Sequence, residues 1–336
     1  MSFSSIGDMA NSFLMRGHNT RIKSELMRLS DTLASGKHSD MSTQLRGEFT
    51  DLAAIERSIR TLEAHRNTAR ETSTLLETAQ ISLGTIQDLA SNAAPALISA
   101  SNSYHAALLQ SSSSDAEQKF NSIVSALNVQ IADRAVFSGV ATDRAALPDG
   151  TVLLDAVRAE LVGATTRSDI ESRLTTWFND PSGGFATMQY RGSNDPLAPI
   201  PVSNTEKVNF KVTALAPEIR QMLQSFAMAA LVTELQALAD PAEGAAMMKS
   251  AGELMLSAQT GMSILRAEIG ALEEYTDTAK ARNGAALSGF EIARGSMYQA
   301  DPYQAATELE LAQTQLEAVY TLTARLSRLS LSDYLK

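Results

Sequence analysis

Between residues 55 and 97 an apolar side chain returns at every seventh position: Ile55, Leu62, Ala69, Leu76, Leu83, Ala90 and Leu97. A strand alternates faces every two residues and cannot keep such a set on one side, whereas an α-helix drifts only about 20° per heptad. The spacing predicts one helix of roughly 60 Å, laid along partner helices. The same rule finds candidate partners elsewhere in the chain. Leu265, Leu272 and Ala279 repeat every seven, with Met262 and Ile269 at companion positions, inside a predicted helix from about 245 to 299. Near the N-terminus Ile22, Leu26, Leu29 and Leu33 step by four, three and four, a seam of coiled-coil type. After the Asp-Pro at 301–302, Leu309, Ala312, Leu316, Val319, Thr323 and Leu326 step by three and four.

The sequence closes on LSRLSLSDYLK, still amphipathic and with no Gly or Pro brake. A terminus frays unless something ties it down, so Leu326, Leu329, Leu331, Tyr334 and Leu335 need a partner surface. With Ile22, Leu26, Leu29, Leu33, Leu316 and Val319 they form the candidate contact set. The partner is either the opposite end of the same chain or a neighbouring subunit.

Composition removes most other classes. Hydrophobic residues make up 44% of the chain, enough for a core, but aromatics only 5% with one Trp, which suits helices packed through Leu, Ile and Ala. The net charge of −10 and the scattered Lys and Arg argue against nucleic acid, whose binding needs clustered cations. No run approaches the ~20 apolar residues of a membrane span; the most apolar, FAMAALV at 226–232, soon meets Glu234, so membrane insertion is not expected. With no cysteine there is no disulfide, thiolate metal site or thiol nucleophile. None of the four histidines has another at i+3 or i+4, so no metal site is expected. The pairs Glu273/Glu274 and Glu308/Glu310 read as solvated helix faces. SGG at 182–184 lacks the Lys of a phosphate loop and reads as a flexible turn. No catalytic or cofactor site emerges, and the expectation is a protein that is not an enzyme.

Punctuation divides the chain. Gly36 is the expected stop of the first helix, with Ser35 or Ser39 as a local cap. The Ser-rich interval 99–114 is expected to hold a turn, with Asp115 capping a helix that runs through Phe120, Ile123, Leu127 and Ile131. Gly139, Pro148 and Gly150 then mark a change of character, and VNFKV at 208–212 reads as β-like, although 151–178 keeps helical periodicity. Helices return at Pro217. The expected fold is mostly α: an elongated heptad-helix bundle of N- and C-terminal segments with an inserted mixed α/β or β-rich middle domain. The expected divisions are 1–34, 35–140, 141–213, 214–303 and 304–336.

Three stretches carry a family resemblance. LASGKHSD after the first heptad helix resembles the Leu-Ser-Ser-Gly-Lys stretch of bacterial flagellins and of hook-filament junction proteins. IADRAVFSGVATDRAAL at 131–147 is similar to the junction-protein motif in which a helix ends on Phe-Ser-Gly before the variable domain. LSLSDYL at 329–335 resembles the junction proteins' ending, the most discriminating of the three. One departure is HSDMSTQLRGEFTDLA, where the family continues into an Asp-Asp-Pro turn. The resemblance covers about residues 10–140 and 245–336. It implies terminal helices, here 10–34 and 304–335, that form an inner coiled-coil layer around an axial channel, with the middle segment outside. It implies self-association in a ring or helical assembly, contact with a hook-side junction protein and with flagellin, and an export chaperone. It also implies passage through the flagellar type III channel without a cleavable signal, and an extracellular place in the flagellum as hook-filament adaptor. A flagellin and a cytoplasmic coiled-coil scaffold are the alternatives.

Overall fold

A computed structural model describes residues 4–38, 40, 49–103 and 105–334. Helices dominate: α1 (Ser4–Ser35), α2 (Thr50–Ser101), α3 (Ala106–Leu127), α4 (Gly150–Glu160), α5 (Arg167–Asn179), α6 (Pro217–Ala230), α7 (Pro241–Tyr298) and α8 (Pro302–Tyr334). Among the described residues, strands are confined to two antiparallel pairs, β1 (Gln130–Ile131) with β2 (Arg134–Ala135), and β3 (Ile200–Pro201) with β4 (Lys207–Val208). The fold is thus mostly α with small sheets in its middle. The chain forms two compact units, Met1–Thr61 with Ala285–Lys336, and Leu62–Gly284.

The helix ends follow local chemistry. Asp240 and Asp301 each precede a Pro that opens a helix, and each carboxylate accepts a backbone N–H of the first turn, from Ala242 at 2.9 Å and from Tyr303 at 2.8 Å. Gly36 stops α1 at φ 68°, its N–H donating to Thr32 O at 2.9 Å, while the Ser35 hydroxyl donates to Asp31 O at 2.6 Å. Ser39 lies outside the described residues.

In the unit Leu62–Gly284 one apolar core runs through α2 to α7. Ala69, Leu76, Leu83, Ala90 and Leu97 of the heptad ladder are buried in it, as are Met262, Leu265, Ile269 and Ala279 of α7. Each fully buried Leu of this set contributes about 1.5–3 kcal/mol of transfer free energy. α2 and α7 run antiparallel and are tied by neutral amides around one cation. Arg266 Nε donates to Gln80 Oε1 at 3.2 Å and its Nη1 to Gln87 Oε1 at 2.7 Å, while Gln80 Nε2 donates to Arg266 O at 2.7 Å. Gly84 lies beneath the guanidinium; a Cβ there would sit 3.4 Å from Nη2.

Five local expectations are corrected. The break in 99–114 is narrower, because α2 reaches Ser101 and α3 starts after His105, so Ser111–Ser114 are helical. Serine is a weak helix former because its hydroxyl competes for the backbone, but the buried Ser113 hydroxyl instead donates to Ala230 O of α6 at 2.6 Å. Asp115 caps nothing and pairs with Lys119 at 2.7 Å. VNFKV alternates buried Val208, Phe210 and Val212 with exposed Asn209 and Lys211, yet only Val208 lies in a strand. Its period of two reflects one-sided packing on the core without a ladder.

The helix before Phe-Ser-Gly ends earlier than expected, at Leu127. A β1–β2 hairpin intervenes, its tip formed by Ala132 and Asp133 at φ 47° and 61°, the left-handed pair of a type I′ turn. Phe137-Ser138-Gly139 is then a corner. Gly139 sits at φ 62°, Val140 N donates to Asp195 O at 3.1 Å, and Ser193 N donates to Ser138 O at 2.8 Å. The Tyr190 hydroxyl donates to Ser193 O at 3.0 Å, and burial pushes that phenol up to about 12. Finally, Ser182-Gly183-Gly184 is a packed corner in place of a flexible turn. A Cβ on Gly184 would lie 2.1 Å from Trp177 Nε1, and Trp177 packs edge-on against Phe178 at 4.7 Å.

Candidate assembly interface

The unit Met1–Thr61 with Ala285–Lys336 brings the two chain ends together: α1 and α8 pack on one another within a single chain. They run antiparallel. Lys23 Nζ lies 5.8 Å from the Tyr320 ring centroid, and Arg28 sits in the field of Glu308. The far end is closed by backbone, where His38 N donates to Tyr298 O at 2.9 Å and Ala300 N donates to Gly36 O at 3.0 Å. Gly36 makes this possible, since its left-handed φ turns the chain out of α1 and alongside the short link between α7 and α8.

The charges decorate the pair without driving it. Arg28 Nε donates to Glu25 Oε2 at 3.0 Å, and this bond holds the Glu25 carboxyl below the usual range. Hydrogen bonding to Lys23 likewise lowers the exposed Tyr320 phenol. Exposed pairs of this kind contribute about 0–1 kcal/mol, so the apolar seam decides the pairing.

The seam places the sequence-predicted residues as follows. Leu29 is buried at 3% exposure, with Thr32, Ala305 and Ala312 also buried; Ile22, Leu26, Leu316 and Val319 are half-buried; Leu33 is 38% exposed. At least part of the cover they need thus comes from the same chain. Leu326, Leu329, Leu331, Tyr334 and Leu335 lie outside the residues whose side chains are described.

A second apolar set escaped the sequence reading. Phe13, Leu14 and Met27 on α1, and Leu311 and Leu322 on α8, remain exposed, Phe13 at 76%. Phe13 and Leu14 also line a shallow hollow with Gly17, His18 and Arg21. The signal was present as apolar residues lying off the three-four seam, in excess of what one two-helix contact can bury. An α-helical pair that still shows such residues has further surface to cover.

Among the described residues no group of three or more His, Cys, Asp or Glu could hold a metal ion, and no helix is long and apolar enough to cross a membrane. His65 Nε2 is bonded to Asn204 Oδ1 at 3.0 Å and His18 Nδ1 to Arg21 at 3.3 Å.

Residues 253–335 match the family of the bacterial flagellin C-terminal helical region. No curated protein matches the chain. A solved structure named as a flagellar hook-associated protein of Vibrio parahaemolyticus is similar at 13% identity and a TM-score of 0.49, covering 73% of this chain and 95% of that one. The matched region takes in the C-terminal part of α7 and α8, so the helix that pairs with α1 is similar to the C-terminal helical region of bacterial flagellins.

Proposed function

We propose that the protein is the adaptor at the hook-filament junction, assembled through its terminal helices. The observation that carries an assembly role is the apolar set left open on the paired ends, Phe13, Leu14, Met27, Leu311 and Leu322. At about 25 cal/mol per Å², covering a few hundred Å² of such surface is worth several kcal/mol per neighbour, enough to order and join subunits. The choice of junction over filament rests on the ending LSLSDYL, which resembles that of junction proteins.

In this reading 1–34 and 304–336 are the assembly helices, 35–140 and 214–303 the two halves of a rod, and 141–213 the variable segment. The partners are further copies in a ring or helical array, a hook-side junction protein below, flagellin above, and a chaperone before export through the type III channel to the cell exterior. The role is mechanical and calls for no catalytic group or cofactor.

Immunogold labelling of intact flagella tests the placement: a narrow zone at the hook's end is expected, and label along the filament would make the protein a flagellin. Deletion of the gene should leave hooks without filaments while flagellin accumulates in the medium, and a chain lacking 326–336 should not restore them. Normal filaments in the deletion strain would overturn the junction role.

A further inference from the structure

Within the unit Leu62–Gly284 an open groove of about 710 Å³ lies between α2, the β1–β2 hairpin and the segment 197–201. Its walls include Leu75, Ile131, Val140, Leu197 and Ile200, and Val140 is 50% exposed although it lies beside the packed Phe-Ser-Gly corner. The threonines of α2 add to the apolar character. Thr72 and Thr74 donate their hydroxyls back to Thr68 O and Arg70 O, at 2.8 and 3.2 Å, so each has spent its one donor on its own helix. The volume falls within the range of built ligand sites, about 300–1,000 Å³. Arg134 stands in the lining on the hairpin and has no carboxylate within 4.0 Å among the described residues.

The adjoining strand restricts what can enter. Val202 N donates to Glu206 O, so alternate residues 200 and 202 face β4, and the outward positions 199 and 201 are both proline. Neither has an N–H, and a strand added along this edge would find no donors. The groove therefore suits a compact apolar turn better than an extended peptide.

The chain itself presents such a turn. Leu161–Gly163 follows α4, with Gly163 at φ 79° and Val162 76% exposed. The turn is held rigid: Arg173 donates to Glu160 O at 3.3 Å and to Val162 O at 3.2 Å, and is itself anchored on Asp169 at 2.9 Å. A preorganised turn loses little freedom on docking. Beside it the exposed Glu160 carboxylate also has no cation within 4.0 Å among the described residues, which makes it the complement of Arg134.

We propose that this groove receives the Leu161–Ala164 turn of a second copy of the chain, with Val162 on the apolar floor and Glu160 against Arg134. Turn and groove are different surfaces, so the contact is heterologous and repeats from copy to copy, as a ring or helical array requires. The inference rests on the assembly reading above and adds to it a contact outside the terminal helices.

The absence of cysteine from the sequence makes the test clean. Cells carrying Val140→Cys and Val162→Cys chains together should yield, on oxidation of isolated flagella, a disulfide dimer that neither variant gives alone. Arg134→Glu or Glu160→Arg, each placed in the cysteine background, should lower the dimer yield about three- to tenfold, and the two reversals together should restore it. Flagella that contain the protein but give no mixed dimer overturn the docking and leave the flagellar placement standing. A Val162→Cys dimer formed alone, or a Val140→Cys adduct to a different protein, overturns the choice of occupant. Absence of the protein from flagella overturns the placement, and the docking with it.

Discussion

Replacing Gly139 by alanine tests whether the Phe-Ser-Gly corner is held by its backbone. At φ 62° a Cβ costs about 1–2 kcal/mol in any surroundings. Here it would also stand 2.4 Å from Asp195 O and 2.6 Å from Ser193 O, closer than any relaxed contact, and both are backbone atoms. Relief requires the 193–195 segment to move away. That strains the Val140 N to Asp195 O and Ser193 N to Ser138 O hydrogen bonds, worth about 1 kcal/mol each. The expected loss is about 3–4 kcal/mol. Trp177, the single tryptophan, is buried in the same unit and reports its unfolding by fluorescence. With a urea slope of about 2–3 kcal/mol/M, the midpoint should fall by about 1–2 M. Gly284→Ala is the control: that helical glycine has nothing within 4 Å of a Cβ, so alanine there should raise stability by about 0.5–1 kcal/mol. A Gly139→Ala midpoint within about 0.3 M of the parent would refute the argument, because the corner would then yield at little cost.

Other predictions follow from the terminal pair and from one carboxylate. Leu29→Ala should cost about 2–4 kcal/mol and Leu33→Ala less than about 1, read as loss of amide protection along α1, because only Leu29 is buried. Phe13→Ser with Leu311→Ser should leave the melting temperature of the isolated chain nearly unchanged and lower its incorporation into flagella, since both side chains are exposed in the monomer. Burial, followed by the charges of Glu77 and Asp277, raises Glu273 above the usual carboxylate range. Its ionised form is thus penalised in the folded state at pH 7, and the penalty lifts as pH falls through the raised folded value and then the unfolded one near 4.5. Glu273→Gln should be more stable than the parent at pH 7 and equal to it near pH 3.5; a difference independent of pH would exclude the charge as its cause.

The heptad ladder was legible because burial at Ala69, Leu76, Leu83, Ala90 and Leu97 imposes a period that only a helix can keep. The Asp-Pro openings at 240–241 and 301–302 were legible because cap and first turn are local chemistry. What local reading could not supply was the partner. Nothing in Ser111–Ser114 announces that Ser113 will bond Ala230 across 117 residues and make helix affordable there. Gly183 and Gly184 look mobile until Trp177 is seen filling the space a side chain would need. The three-four seams of the ends were readable, but a seam is equally satisfied by its own chain or by another. That α1 meets α8, leaving Phe13 and Leu311 outside, is a tertiary fact.

The clasp between α2 and α7 has a consequence for how the fold responds to salt. Arg266 is held by the side-chain oxygens of Gln80 and Gln87, so its partners carry no net charge for dissolved ions to screen. A surface ion pair weakens as the Debye length contracts from about 10 Å at 0.1 M salt to about 3 Å at 1 M, but short hydrogen bonds from a guanidinium to amides feel little of that contraction. Two long helices fastened in this way keep their register in fresh water and in brine alike, so their grip is set by contact distance and not by the salinity of the surroundings.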